Sequence, residues 1–103
     1  MASERRLSPR KAFDGWVEVH TDGVRRLAAG SDLSPSGIGL RLATAGLAPP
    51  ARVTCEFALP GISLPLELAG AVAWSNGARV GIRFDAVDPG LAELLENHVA
   101  GRL

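Results

Sequence analysis

Residues 62–84 read ISLPLELAGAVAWSNGARVGIRF, and this stretch decides the fold class. Apolar side chains recur at every second position on both sides of Ser75-Asn76-Gly77, as in strands that turn one face toward a core. Asn-Gly pairs tolerate the positive φ angles of tight hairpin turns. The stretch therefore predicts an antiparallel hairpin, whose inward positions are Ile62, Leu64, Leu66, Leu68, Val72 and Trp74 on the first strand and Val80, Ile82 and Phe84 on the second.

The same period of two extends upstream to Gly15. Turn-forming residues at Thr21-Asp22-Gly23, Gly30-Ser31-Asp32, Gly46 to Pro50 and Pro60-Gly61 divide this region into short segments. We expect about six strands in a closed or partly closed antiparallel barrel, because closure removes exposed strand edges. The inward positions of the earlier strands are Val17, Val19, Ile38, Leu40, Leu42, Val53, Cys55, Phe57 and Leu59.

The pattern changes after Phe84. Asp88 is a suitable N-cap, Pro89 fits the first helical position, and leucines then recur at helical spacing. A single amphipathic helix over about residues 88–100 is predicted to cover the barrel. Residues 1–14 carry charges and a Ser-Pro pair, so we expect a flexible basic arm there and one barrel domain over residues 15–103.

Composition excludes several classes of protein. The chain has 103 residues, 47% of them hydrophobic, and its 11 Lys and Arg balance 11 Asp and Glu. A neutral chain lacks the basic field needed to coat a nucleic acid polymer or an anionic membrane. With one cysteine and no long apolar run, it forms no internal disulfide and inserts into no membrane, and the cytoplasm is the expected location.

Residues suited to catalysis are few. His20 and His98 are far apart in sequence and are expected on the surface, while Cys55 is expected as a buried hydrophobe. None of the common hydrolase, zinc or phosphate-loop motifs is present. We therefore expect no enzymatic activity, no metal and no cofactor.

Two short motifs stand out. Arg6 and Arg10 form RxxxR in the arm, a pattern expected by chance about 0.9 times in such a chain. Asp32, Ser34 and Gly37 form DxSxxG, expected only about 0.04 times by chance.

With these motifs in this order, the sequence resembles the PilZ domain family of bacterial cyclic di-GMP receptors. The arm RRLSPR, the loop DLSPSGIGL and the late strands GAVAW and RVGIRF carry the resemblance. It implies a six-stranded antiparallel barrel with a C-terminal helix, and a ligand site at Arg6, Arg10, Asp32, Ser34 and Gly37. Ser36 stands where many members have a second glycine.

These residue types suit that ligand. Arginine can bond phosphate oxygens in pairs, read the guanine edge or stack on a base, and the Asp32 carboxylate matches guanine donors. Ser34 can bond a phosphate or a base, and Gly37 permits close approach of the backbone. The same loop is also ordinary turn composition, in which Asp32 or Ser34 caps a turn.

Four further residues are candidates for the site. In this family the residue before RxxxR is linked to stoichiometry, so the resemblance implies that Arg5 accompanies an intercalated pair of ligands; a solvated arginine is the alternative. Trp74 can stack on guanine or pack in the core. Arg79 and Arg83 share the outward face of one strand. They either contact ligand phosphates or are ordinary solvated surface residues.

The expected function is a receptor in which cyclic di-GMP orders the RxxxR arm over the DxSxxG loop and signals to an unidentified partner protein. One alternative is a nucleotide-independent PilZ-like adaptor for protein interactions. A second, an oligonucleotide-binding barrel, fits poorly with neutrality and 5% aromatic residues.

Overall fold

The computed structural model describes residues 10–42 and 46–101. These residues form seven strands and one helix. The strands are β1 (Lys11–Ala12), β2 (Trp16–Thr21), β3 (Val24–Ser34), β4 (Gly37–Leu42), β5 (Arg52–Phe57), β6 (Leu66–Asn76) and β7 (Arg79–Phe84), and the helix is α1 (Pro89–Val99).

Strands β2 to β7 form a closed antiparallel barrel. Their order is β3-β2-β5-β6-β7-β4, and β4 pairs back to β3. The prediction of a six-stranded barrel is confirmed. The short strand β1 pairs with β3 on the same edge as β2, beyond the end of β2. Lys11 is opposite Leu33 and Ala12 is opposite Asp32.

Two predicted turns adopt the backbone geometry that their residues favour. Asp22 and Gly23 join β2 to β3 with φ angles of 52° and 76°. Gly77 joins β6 to β7 with a φ of 66°, whereas Ser75 and Asn76 of the predicted turn lie in β6 and pair with β7. Such left-handed conformations match the twist of a tight hairpin. Both hairpins are therefore specified by local sequence.

The predicted inward positions form the core at most sites. Leu66, Leu68 and Val72 of β6 are buried, as are the inward residues of the other strands. The prediction is wrong at Leu64 and Trp74, which are both exposed. Leu64 precedes the start of β6 and so follows no strand period, while Trp74 comes after a register shift between Val72 and Trp74.

The predicted turn at Gly30-Ser31-Asp32 is also wrong. These residues lie inside β3, and its pairing with β4 shifts register between Gly30 and Asp32. The glycine is needed for a different reason: a side chain at position 30 would come within 2.8 Å of Cε2 of Phe13. Gly30 therefore marks the close approach of a neighbouring segment.

That segment begins the fold earlier than the sequence suggests. The amide of Phe13 donates to the carbonyl of Ser31 at 3.1 Å, and the Phe13 ring is buried, edge-on to Phe57 at 5.5 Å between ring centroids. Order was expected from about Gly15, whereas Lys11 already pairs with β3. Residues 1–9 of the predicted arm lie outside the described residues.

Helix α1 begins as predicted. The Asp88 carboxylate accepts a hydrogen bond from the amide of Gly90 at 3.0 Å, and Pro89 is the first helical residue. Leu95 is fully buried in the barrel core, and Leu91 and Leu94 pack against it. Within the described ranges, α1 falls short of the length and apolar content that a membrane-spanning helix needs.

The expectation that His98 lies on the surface is wrong. Its side chain is buried against the edge of Phe13, with the ring centroids 6.4 Å apart. Lys11 Nζ donates to the carbonyl oxygen of His98 at 3.3 Å. His98 follows Leu95 by three residues and so shares its face of the helix. That face contacts Phe13, the residue directly after β1, and α1 also contacts β3.

Candidate functional site

The DxSxxG motif spans the hairpin between β3 and β4. Ser34 ends β3, and its hydroxyl accepts hydrogen bonds from the amides of Ser36 at 3.2 Å and Gly37 at 3.1 Å. Its side chain is 0% exposed. Gly37 begins β4 against β7, where an added Cβ would overlap the carbonyl oxygen of Ile82. In this conformation both residues shape the turn.

Asp32 lies two positions before Ser34 on β3, on the same side of the strand, and reaches across the barrel surface. A Cβ at position 39 would lie 2.6 Å from its Oδ1, so only glycine leaves room for the carboxylate. Arg10 donates from Nη2 to Asp32 Oδ1 at 2.8 Å and from Nη1 to Ser34 Oγ at 3.4 Å. The two motifs of the sequence therefore meet through direct side-chain contacts.

The ionisation of Asp32 follows from these contacts. The hydrogen bond from Arg10 is the main reason that the pKa of Asp32 lies below its ordinary value. Partial burial opposes this effect, while the charge of Arg10, the amide of Gly39 and the charge of Arg79 support it. Asp32 is thus an ionised acceptor at neutral pH.

Trp74 lies on the outside of the barrel, not in the core. The register shift after Val72 turns its side chain outward, where it covers Gly81 of β7 and remains 49% exposed. A methyl group at position 81 would come within 2.7 Å of Trp74 Cδ1 and closer still to Nε1. The absence of a side chain at Gly81 therefore lets the indole lie close against β7.

Arg79 and Arg83 are exposed at the two ends of β7. They are four residues apart on one strand, so both side chains extend from the same face. Arg79 pairs in register with Arg41 of β4, and Arg83 pairs with Gly37 at the motif turn. The outward face of β7 is thus cationic beside the DxSxxG hairpin.

These residues surround one open cleft of about 390 Å³. Its lining includes Arg10, Asp32, Gly37, Trp74, Arg79 and Arg83. Six of the nine residues singled out from sequence therefore line one site, and Ser34 lies directly beneath it. Arg5 and Arg6 lie outside the described residues.

Sequence reasoning missed Gly39 and Gly81, which also line the cleft. Each stands at an outward strand position where a polar side chain is usual, next to a residue that the site uses. Glycine inside a strand indicates close approach of another group. That signal was present in the alternating pattern of β4 and β7.

The thiol of Cys55 is remote from this cleft and chemically inert. It lies in the core, and burial raises the pKa of the Cys55 thiol to about 12. The thiol therefore stays protonated at neutral pH and is not a nucleophile. Its expected role as a small buried hydrophobe is confirmed.

Comparison with solved structures identifies similar folds. The PilZ domain of YcgR from Escherichia coli, solved with c-di-GMP, is 18% identical with a TM-score of 0.77, covering 94% of this chain and 90% of that one. The PilZ domain of CeSA from a cellulose-synthesizing bacterium is 20% identical with a TM-score of 0.70, covering 89% and 95%. The TM-scores show likeness of fold, and at these low identities the two matches show the fold alone.

A third structure is longer than this chain. The Bacillus subtilis inhibitor of motility, MotI/DgrA, is 16% identical with a TM-score of 0.76, and the match covers 95% of this chain but 51% of that one. This chain thus spans about half the length of that protein. The sequence matches no curated protein.

The family assignment rests on a sequence comparison that covers nearly the whole chain. A family model described as the PilZ domain matches residues 4–101. The matched region includes the RxxxR and DxSxxG motifs, the closed barrel and the terminal helix. The chain therefore belongs to the PilZ domain family.

Proposed function

We propose that this chain is a receptor for the bacterial second messenger cyclic di-GMP. The observation that carries the proposal is the convergence of Arg10, Asp32, Trp74, Arg79 and Arg83 on one cleft. Membership of the PilZ family supports it, as does the fold shared with the YcgR domain that was solved with c-di-GMP. The ligand presents two phosphates and two guanines, and the cleft offers groups for both.

Arg79 and Arg83 supply the phosphate-binding side of the cleft. Four positions along a strand separate their Cα atoms by about 13 Å, which spreads two guanidinium groups over an extended ligand. Both side chains are exposed and extend from the rigid wall of the barrel. A guanidinium can donate two parallel hydrogen bonds to one phosphate, which a lysine cannot do.

Asp32 and Trp74 supply the base-binding side. Ionised Asp32 accepts hydrogen bonds and matches the N1 and N2 donors of guanine. Trp74 lies against Gly81 and is 49% exposed, so part of the indole is available for stacking on a base. Asp32 and Trp74 together would recognise a purine that carries hydrogen-bond donors at N1 and N2. Guanine has these donors and adenine does not.

The contact between Arg10 and Asp32 gives the arm two states. Their ion pair is exposed by 45% and 39%, and such surface pairs contribute only about 0–1 kcal/mol. A guanine can therefore replace Arg10 at Asp32 with little loss, which frees the guanidinium for a phosphate or a base. The RxxxR spacing corresponds to about 13 Å in a fully extended chain, so two arginines at this spacing can reach one ligand.

The remaining parts of the proposal concern the arm and the output. Ligand binding orders the RxxxR arm over the DxSxxG hairpin, and Arg5 offsets the added charge of an intercalated second ligand. The altered surface is then presented to a partner protein, because a ligand shifts an equilibrium between two states by its different affinity for each. The protein acts in the bacterial cytoplasm without catalysis and without a cofactor.

Calorimetric titration with cyclic di-GMP tests the proposal, with GTP and cyclic di-AMP as competing ligands. Each charged hydrogen bond contributes about 1.5–3 kcal/mol, so Arg10→Ala and Asp32→Ala should each weaken binding about 10- to 150-fold. Arg10→Lys keeps the positive charge but loses the guanidinium group that donates two parallel hydrogen bonds. This variant should bind the ligand more weakly than the wild type. Arg25→Ala, an exposed arginine outside the cleft, is the matched control and should bind normally.

The outcomes separate the two functions considered. Selective binding that the cleft variants weaken, with a measured stoichiometry of one or two, supports the receptor. No heat at high ligand concentration with a folded wild-type protein would refute it. The nucleotide-independent adaptor would then be the function to test, by identifying proteins that bind the barrel.

A further inference from the structure

Two carboxylates and an imidazole converge on the outer face of the barrel, far from the cleft. Glu18 and His20 are two residues apart on β2 and so project from the same face. Glu56 of β5 is the cross-strand partner of Glu18. In the barrel order, the seam between β2 and β5 is opposite the seam between β7 and β4, which carries the cleft.

We propose that Glu18, His20 and Glu56 form a binding site for a divalent transition-metal ion, with Zn²⁺ as the ion that fits best. Nε2 of His20 lies 3.4 Å from Glu18 Oε1 and 3.8 Å from Glu56 Oε1. The three donor atoms all lie within 4.8 Å of one another. Tetrahedral zinc with bonds of about 2.0–2.2 Å holds its ligand atoms about 3.3–3.6 Å apart. Small side-chain rotations therefore suffice.

The imidazole distinguishes this group from an ordinary acidic surface. The His20 side chain is 38% exposed, but its Nε2 atom is shielded from solvent and has no hydrogen-bond partner among the described residues, although it lies between two carboxylate oxygens. A buried polar atom without a partner is costly, and ligation of a metal would satisfy it. A nitrogen donor favours zinc, nickel or copper over the oxygen-preferring ions calcium and magnesium.

The surrounding charges favour a cation at this position. Glu67 of β6 is the cross-strand partner of Glu56, so three carboxylates form a row across β2, β5 and β6. Like charges directly opposite one another destabilise a sheet. Arg25 of β3 neighbours His20 and brings Nη1 to 3.7 Å from Glu18 Oε1, but it is largely exposed and can turn away.

A bound ion would link β2 to β5 at a fixed geometry, with water in the remaining position. The ligands lie on paired strands, which limits the movement needed to bind. Because this seam is opposite the cleft, metal binding and nucleotide binding should be independent. The proposed metal site can therefore be tested independently of the proposed receptor function.

The test is a calorimetric titration of tag-free, metal-stripped protein with ZnCl₂, with MgCl₂ as the comparison. We expect one zinc ion per chain, negligible magnesium binding, and weakening of more than about tenfold in His20→Gln and in Glu56→Gln. Glu93→Gln, at an exposed helix position, is the control and should bind as the wild type does. Circular dichroism confirms that each variant is folded.

Two further readouts address the coordination itself. Zinc at 100 times its Kd for the wild type should raise the ratio of folded to unfolded protein about 100-fold, and His20→Gln should cut this effect to about tenfold or less at the same zinc concentration. Co²⁺ bound at the site should give visible absorption bands that His20→Gln abolishes. Absence of zinc binding, or binding that His20→Gln leaves unchanged, would overturn the proposal.

Discussion

Replacing Gly81 with alanine tests whether the position of Trp74 governs binding. The added methyl group would lie within 2.7 Å of Trp74 Cδ1 and closer to Nε1 and Cε2, whereas carbon atoms in contact lie about 3.5–4.0 Å apart. The indole must therefore move outward from β7 by about 1 Å or more. Since Trp74 is 49% exposed, it can move into solvent without disturbing the core.

The expected effects on stability and binding differ in size. Stability should change little, because Trp74 contributes nothing to the buried core and Gly81 is already in an extended strand. Stacking of a base on an aromatic side chain contributes about 1–3 kcal/mol. Loss of that contact corresponds to cyclic di-GMP binding that is about 5- to 150-fold weaker.

A double-mutant cycle isolates the mechanism. Gly81→Ala, Trp74→Ala and the double variant are compared by calorimetry, with thermal unfolding as the check on folding. If Gly81→Ala acts by displacing the indole, it should have almost no further effect in the Trp74→Ala background. Full affinity in Gly81→Ala, or effects of the two substitutions that simply add, would refute the reasoning.

Three other substitutions probe the turn, the carboxylate and the helix. Gly37→Ala should lower the free energy of unfolding by about 1–3 kcal/mol in denaturant titrations, because the methyl group would overlap the carbonyl oxygen of Ile82; an unchanged midpoint would contradict this. Arg10→Ala should raise the pKa of Asp32 in a carboxyl NMR titration, because the main interaction that lowers it is lost while burial still opposes ionisation. Burial lowers the pKa of His98 in the folded protein. Below about pH 6.5 the unfolded chain therefore takes up a proton that the folded chain does not. The free energy of unfolding should decrease as the pH is lowered through that range. His98→Leu should flatten this part of the pH profile, and an unchanged slope would show that other groups cause it.

The barrel and the helix were predictable because their signals are local. A period of two, turn residues such as Asp22-Gly23, and the cap at Asp88 each act within a few residues of the element they specify. Closure of the sheet follows from the need to pair strand edges. The family resemblance implied the same six-stranded barrel and terminal helix.

The orientation of Trp74 could not be obtained from periodicity. The period of two places it with Val72 in the core, and a single register shift between them reverses the side that it faces. Such a bulge depends on the pairing of two strands and leaves no clear mark in one of them. The outward glycine at position 81 was the available clue, since it is the residue paired with Trp74.

Contacts between distant segments account for the other differences. His98 is buried because Lys11 and Phe13 contact it, and more than 80 residues of sequence separate these two residues from His98. The meeting of Arg10 with Asp32 likewise depends on the pairing of β1 with β3. The order of the two motifs predicted that these residues share a site, but only the fold gives the contact between their side chains.

The most direct test of the central claim is an amide-resolved NMR titration of the labelled protein with cyclic di-GMP. The account predicts shifts at Gly37, Gly39 and Gly81 and at the indole of Trp74, while the amides of Glu18 and Glu56 on the opposite seam stay in place. Saturable shifts confined to the cleft would locate the ligand where its residues converge. A spectrum that does not change, or shifts that appear at the β2–β5 seam and not in the cleft, would contradict the account.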